Sequence, residues 1–121
     1  MKTILLVEDD EFIRSLLGDK FRSVGYDVKE AKDGKEGLEK AKEKPDIILL
    51  DLLMPVMDGF EMLQQVKGIK ELASVPVIVL SNVDQKADVD RAMSLGANDY
   101  LIKVYNTPGE IVEKVRKTIS F

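Results

Sequence analysis

The stretch Asp46-Ile47-Ile48-Leu49-Leu50-Asp51-Leu52-Leu53-Met54-Pro55 sets the architecture of this chain. Its apolar run reads as a strand buried on both faces, and the run stops on a carboxylate. A charge closing such a strand is costly unless something offsets it. The arrangement recurs at two other places. Ile4-Leu5-Leu6-Val7 runs into Glu8-Asp9-Asp10, and Tyr100-Leu101-Ile102 runs into Lys103. Acids and then a lysine at the ends of apolar strands suggest a site built for a phosphate and a cation.

Outward from that strand, short apolar runs alternate with segments of helical period. Thr3 to Val7 predicts a buried strand, and Asp10 to Val24 a helix with Phe12, Ile13, Leu16, Leu17, Phe21 and Val24 on its apolar face. Gly25 ends that helix. Tyr26 to Ala31 is a more polar strand expected at a sheet edge, and Asp33 caps a second helix that runs to about Lys44, before Pro45. A third helix is expected from about Gly59 to Lys70 with Phe60, Leu63 and Val66 inward. Pro76 to Leu80 follows as a strand, Asp84 to Leu95 as a helix closed by Gly96, and Asp99 to Ile102 as the last strand. Thr107-Pro108-Gly109-Glu110 has the spacing of a capping box with proline at the first helical position. Strands alternating with helices predict a doubly wound α/β fold with a five-stranded parallel sheet and helices on both faces. Periodicity leaves the strand order open.

With 121 residues and 45% hydrophobic content, the chain suits a single domain, 1–121, with a sizeable core. The net charge is −4 and no basic block occurs, which argues against direct nucleic-acid binding. The chain contains no Cys and no His, so thiol chemistry, zinc-thiolate sites, a His-based triad and a phosphohistidine within the chain are excluded. No signal peptide and no membrane-length apolar stretch is visible, and a cytoplasmic location is expected.

In open α/β sheets ligands bind beyond the carboxyl ends of the strands, where Glu8, Asp9, Asp51, Ser81 and Lys103 fall. If the first and third strands are neighbours, Glu8, Asp9 and Asp51 converge, and a hard cation relieves their repulsion. Oxygen-only ligands favour Mg²⁺, or Mn²⁺, over zinc. Asp51 is then placed to attack phosphorus and form an aspartyl-phosphate, with Lys103 and Ser81 each holding a phosphate oxygen.

Glu8-Asp9-Asp10, Asp51-x-x-Met54-Pro55-x-Met57-Asp58-Gly59, Ser81 and Lys103 together resemble the receiver domain of bacterial response regulators, over essentially Thr3 to Ile119. That resemblance implies the flavodoxin-like strand order 2-1-3-4-5. It implies Asp51 as phosphoacceptor and Glu8, Asp9, Asp51 and the backbone carbonyl of Leu53 as metal ligands. Ser81 matches the switch hydroxyl, Tyr100 the aromatic that reports its movement, and Lys103 the phosphate-binding lysine. The implied partners are a histidine kinase or phosphotransfer protein as donor and an unidentified downstream protein. The output face would be formed by the fourth helix, fifth strand and fifth helix. The implied activity is self-phosphotransfer and autodephosphorylation rather than turnover of an external substrate.

Other readings of single residues stay open. Asp51 or Asp10 alone fits a helix cap or turn, Tyr100 fits simple core, and Lys103 fits a solvated loop. A phosphatase of the haloacid-dehalogenase type wants a second acid where Leu53 stands. A flavodoxin wants a hydroxyl-rich phosphate loop where Glu8-Asp9-Asp10 stands. A receiver-like binding module without phosphorylation-dependent switching remains the alternative function.

The sequence departs from the family at four places. Val104 replaces the usual proline after the lysine, so the Lys103–Val104 peptide is expected trans, with a re-routed loop. Asn82 replaces a small residue and is expected to line the phosphate pocket. Leu53 and Val83 are apolar where a polar side chain would orient an attacking water, which predicts a slowly hydrolysed aspartyl-phosphate.

Overall fold

The computed structural model describes residues 1–120, and Phe121 lies outside the described residues. Five strands alternate with five helices: β1 Thr3–Val7, α1 Glu11–Ser23, β2 Asp27–Ala31, α2 Gly34–Ala41, β3 Ile47–Leu50, α3 Gly59–Gly68, β4 Val77–Ser81, α4 Lys86–Ser94, β5 Asp99–Ile102 and α5 Pro108–Ile119. All strand pairs are parallel and the order is β2-β1-β3-β4-β5. β1 and β3 are therefore neighbours, as convergence of their acids requires.

Alternation along the central strands splits the core in two. Leu5, Val7, Ile48, Leu50, Val77 and Val79 face α2, α3 and α4 through Ala41, Met62, Leu63, Val66 and Ala92. Ile4, Leu6, Ile47, Leu49, Ile78 and Leu80 face α1 and α5 through Leu17, Phe21, Ile111 and Val115. Each fully buried Leu, Ile or Val contributes about 1.5–3 kcal/mol, so these three strands supply a large share of the drive to fold.

Caps set the helix starts. Asp10, Asp33 and Asp58 each accept from a backbone N–H three residues on, and Thr107 and Glu110 form the expected reciprocal box. α2 is shorter than expected: it ends at Ala41, and Lys44 turns the chain with φ 57 ahead of Pro45. α4 is shorter than the Asp84–Leu95 expected: it runs from Lys86 to Ser94, and Gln85 holds its N-cap position without a side-chain bond. The apolar face of α1 is narrower than its period suggests. Leu17 and Phe21 are buried, but Phe12 is 76% exposed and Leu16 and Val24 are also exposed. Six apolar residues subtend a wider arc than one sheet face and the flank of α5 can cover.

After β5 the chain enters a single 3₁₀ turn, Lys103–Tyr105. No peptide bond among the described residues is cis, so Lys103–Val104 is trans as expected. In the loop after β3, Val56 has φ 69. A β-branched residue in the left-handed region is strained, by about 1–2 kcal/mol. Val56 is exposed and packs little in return. Val56→Asn should therefore raise the free energy of unfolding by about 1 kcal/mol in urea titration; an unchanged or lower midpoint would show that the strain is offset elsewhere.

Candidate functional site

The ladder carries Glu8 and Asp51 just past its last paired residues. Glu8 N–H donates to Ala31 O at 3.0 Å, and Asp51 N–H donates to Val7 O at 3.1 Å. Both acids therefore have backbones fixed by neighbouring strands. Asp51 is further constrained by Gly59, the first residue of α3. A Cβ on Gly59 would lie 2.2 Å from Asp51 O, and Gly59 N–H donates to Leu52 O at 2.9 Å. Only glycine lets α3 start this close to the Asp51 backbone.

Side chains converge on this strand-end platform. Glu8, Asp9 and Asp51 each present a carboxylate oxygen, and these atoms lie within 4.8 Å of one another. Glu8 and Asp51 are buried and Asp9 is exposed. Lys103 Nζ donates to Glu8 Oε1 and, at 3.3 Å, to Asp51 Oδ2. The other oxygen of Asp51 accepts Leu52 N–H at 2.8 Å, and Glu8 Oε2 accepts Asp10 N–H at 3.1 Å. Three close acids against one lysine leave an excess of negative charge. Their oxygen-only donor set fits a hard divalent ion.

Burial pushes the Glu8 carboxyl up to about 7; the Lys103 bond pulls against that rise and the Asp51 charge adds to it. Burial pulls the Lys103 ammonium down, but Glu8 and Asp51 outweigh it and hold the group above its ordinary value. Lys103 is thus a permanent cation, and Glu8 holds its proton far more readily than a free glutamate.

Ser81, at the end of β4, is buried, and its Oγ accepts Val83 N–H at 3.2 Å. Tyr100, in β5, is half-buried and its hydroxyl donates to Val83 O at 2.5 Å. Burial, then the charge of Asp88, raises the Tyr100 hydroxyl above its usual range. Asn82 is exposed, and its Oδ1 accepts Val104 N–H at 3.1 Å. Leu53 sits in the β3–α3 loop with its side chain largely exposed. The structure thus gathers Glu8, Asp9, Asp51 and Lys103 directly, while Ser81 and Tyr100 share Val83 and also meet side chain to side chain.

The sequence reading missed Arg14, whose Nη1 donates to Glu8 O at 2.8 Å while its Nε pairs with Glu30 at 3.3 Å. It also missed Asn106, whose Nδ2 donates to Ile102 O at 2.9 Å. Arg14 lies one helical turn beyond the Asp10 cap, a spacing that returns a side chain toward the strand end. Asn106 carries no comparable signal.

A model of the response regulator receiver domain matches residues 4–116. The chain is 40% identical to the alkaline phosphatase synthesis transcriptional regulatory protein PhoP of Bacillus subtilis, over 95% of this chain and 47% of that protein. The chain thus spans about half the length of that relative. It is 38% identical to the chemotaxis protein CheY of Thermotoga maritima, over 96% of each. Among solved structures, the Mn²⁺-bound form of the response regulator Rcp1 superposes with TM-score 0.85 at 28% identity, covering 97% of this chain and 93% of that one.

The Glu8 carboxyl makes stability depend on pH. A carboxyl whose value rises from 4.5 to about 7 on folding binds more proton folded than unfolded between those limits. With divalent ions chelated, stability should fall as pH rises through that window and level off above it. Glu8→Gln should remove that component in urea titrations across the range; an identical slope in the variant would assign it to other groups.

Proposed function

The chain belongs to the response regulator receiver domain family, and from that premise we propose that it is a phosphorylation-activated switch of a two-component system with Asp51 as phosphoacceptor. One observation carries this reading: Lys103 bridges Glu8 and Asp51 at the ends of parallel strands, with Asp9 completing the acidic cluster. Asp51 Oδ2 attacks the phosphorus of a phosphohistidine on a histidine kinase or phosphotransfer protein. An O–P bond forms, the N–P bond breaks, and the leaving imidazole takes up a proton. Exchange with such a donor would place the protein's action in the cytoplasm.

Glu8, Asp9 and Asp51, with the carbonyl of Leu53, are the groups that would hold Mg²⁺, or Mn²⁺, the ion bound in the Rcp1 structure. When bound, the ion supplies positive charge against the phosphoryl oxygens. Lys103 adds a fixed cation on the Glu8 side. Ser81 Oγ uses a lone pair on Val83 N–H and so keeps its own proton for a phosphoryl oxygen. Movement of Ser81 toward that oxygen disturbs Val83, which Tyr100 also grips, and this carries the change to β5 and α4. The site acts on its own aspartate, and no external substrate is turned over. The exposed apolar side chains of Phe12, Leu16, Val104 and Tyr105 offer a donor protein a docking rim. No described helix is long and apolar enough to cross a membrane.

Incubation with Mg²⁺ and acetyl phosphate should give one phosphoryl group on the wild type and none on Asp51→Asn, read by intact mass. NMR shifts should spread from the pocket to Tyr100 and α4. Shifts confined to the pocket would instead support a binding module without switching, and labelling retained in Asp51→Asn would remove the acceptor assignment. Leu53 and Val83 offer no polar atom to an attacking water, so the phosphoryl group should be long-lived. Leu53→Asn combined with Val83→Glu should speed its hydrolysis on the order of tenfold; an unchanged rate would place the control of lifetime elsewhere.

A further inference from the structure

The geometry points to Asn82 as a positioning residue that acts through the backbone of Val104 to hold Lys103 over the acidic site. This rests on the reading of Lys103 as the phosphoryl-binding lysine. The β4–β5 register ends with Ser81 opposite Ile102. One residue further on, β5 gives way to the 3₁₀ turn at Lys103–Tyr105, and the backbone ladder stops. At that point Asn82 Oδ1 accepts Val104 N–H at 3.1 Å. A side chain supplies the next rung between the two loops.

The two residues need each other. A proline at 104 would have no N–H to donate, and an alanine or glycine at 82 would have no acceptor to offer. Two departures that look independent in the sequence are one hydrogen bond in the fold. On the far side of the turn, Asn106 Nδ2 holds Ile102 O at 2.9 Å and Asn106 N–H reaches Lys103 O at 3.3 Å. The turn that carries Lys103 is thus gripped by an amide on each side. Apolar packing adds little, since the side chains of Val104 and Tyr105 are 70% and 71% exposed.

The rung matters for Lys103 because its stem is long and flexible. Its ammonium serves Glu8 and Asp51 together, so a shift in the turn changes how it divides between them. Asn82 also lies in the β4–α4 loop beside Ser81 and Val83, so the same bond couples the lysine turn to the hydroxyl that meets the phosphoryl group.

The test uses the whole chain and three variants, Asn82→Ala, Val104→Pro and the double variant, with Asn82→Asp as the conservative replacement that keeps an acceptor oxygen. Without any phosphoryl donor, the exposed Val104 amide should exchange with solvent roughly three- to tenfold faster in Asn82→Ala and remain protected in Asn82→Asp. The Lys103 Hε resonances should shift in Asn82→Ala, while the thermal midpoint changes little. With acetyl phosphate and Mg²⁺, Asn82→Ala should slow phosphorylation of Asp51 by a similar factor, and in the Val104→Pro background the same change should add nothing. Unchanged Val104 exchange and Lys103 signals in Asn82→Ala, or multiplying effects of the two substitutions, would overturn the positioning role. Failure of the wild type to form any aspartyl-phosphate would overturn the proposed function instead. The exchange and Lys103 measurements would still decide the role of Asn82.

Discussion

One ammonium group ties this site together. Lys103 arrives from the end of β5 and meets Glu8 from β1 and Asp51 from β3, so three strand ends share a single cation. Without it two buried carboxylates would face each other with no counter-charge, a situation folded proteins avoid. Burial, and after it the Asp51 charge, still pushes Glu8 up to about 7 against the pull of the lysine. The rest of the fold holds the three ends in place. Buried strands fix the backbones, Gly59 lets α3 press against Asp51, and Arg14 ties down the carbonyl of Glu8. Three acids against one lysine leave the site net negative, which suits a hard divalent cation.

The loops beyond the sheet divide the labour. The β3–α3 loop is stiffened by local backbone bonds and by the approach of α2, where Gly34 N–H donates to Met57 O at 3.1 Å. A Cβ on Gly34 would sit 2.2 Å from that oxygen, so the two loops fit only through a glycine. The β4–α4 loop is held mainly by single polar contacts at Val83, made by Ser81 on one side and Tyr100 on the other. In the proposed reading, the stiffened loop carries the acceptor Asp51, and the loop held by replaceable bonds adjoins Ser81, the switch hydroxyl at the end of β4. That division matches a module in which chemistry must stay fixed while a neighbouring segment responds.

Much of this was legible in the chain. Apolar runs closed by Glu8, Asp51 and Ser81 marked β1, β3 and β4, because burial on both faces leaves a continuous apolar run no surface strand shows, and Lys103 marked the end of the half-buried β5. Asp10, Asp33 and the Thr107–Glu110 box marked helix starts because capping is a local interaction. What failed to read was set by tertiary neighbours. Phe12 and Leu16 have the right spacing for a core but the wrong flank, and only the position of α5 reveals it. α4 starts at Lys86, two residues later than its pattern suggests, and Gln85 at its start makes no cap bond that a local rule could have read. Asn82 and Val104 were visible as oddities, yet their bond spans a sequence gap that only the pairing of β4 with β5 closes.

α4 has the weakest anchorage among the helices described. Its nine residues bury Ala92 alone, its first turn lacks a side-chain cap, and its tie to α3 includes Arg91 stacked 4.1 Å from the Phe60 ring centre. Such a segment opens locally at a small fraction of the global unfolding free energy. Phe60 directly follows Gly59, the residue pressed against Asp51, so the ring that steadies α4 is anchored one residue from the backbone that supports Asp51. If Asp51 takes up a phosphoryl group as proposed, a helix held this lightly is the element that one or two added charges there would move most readily.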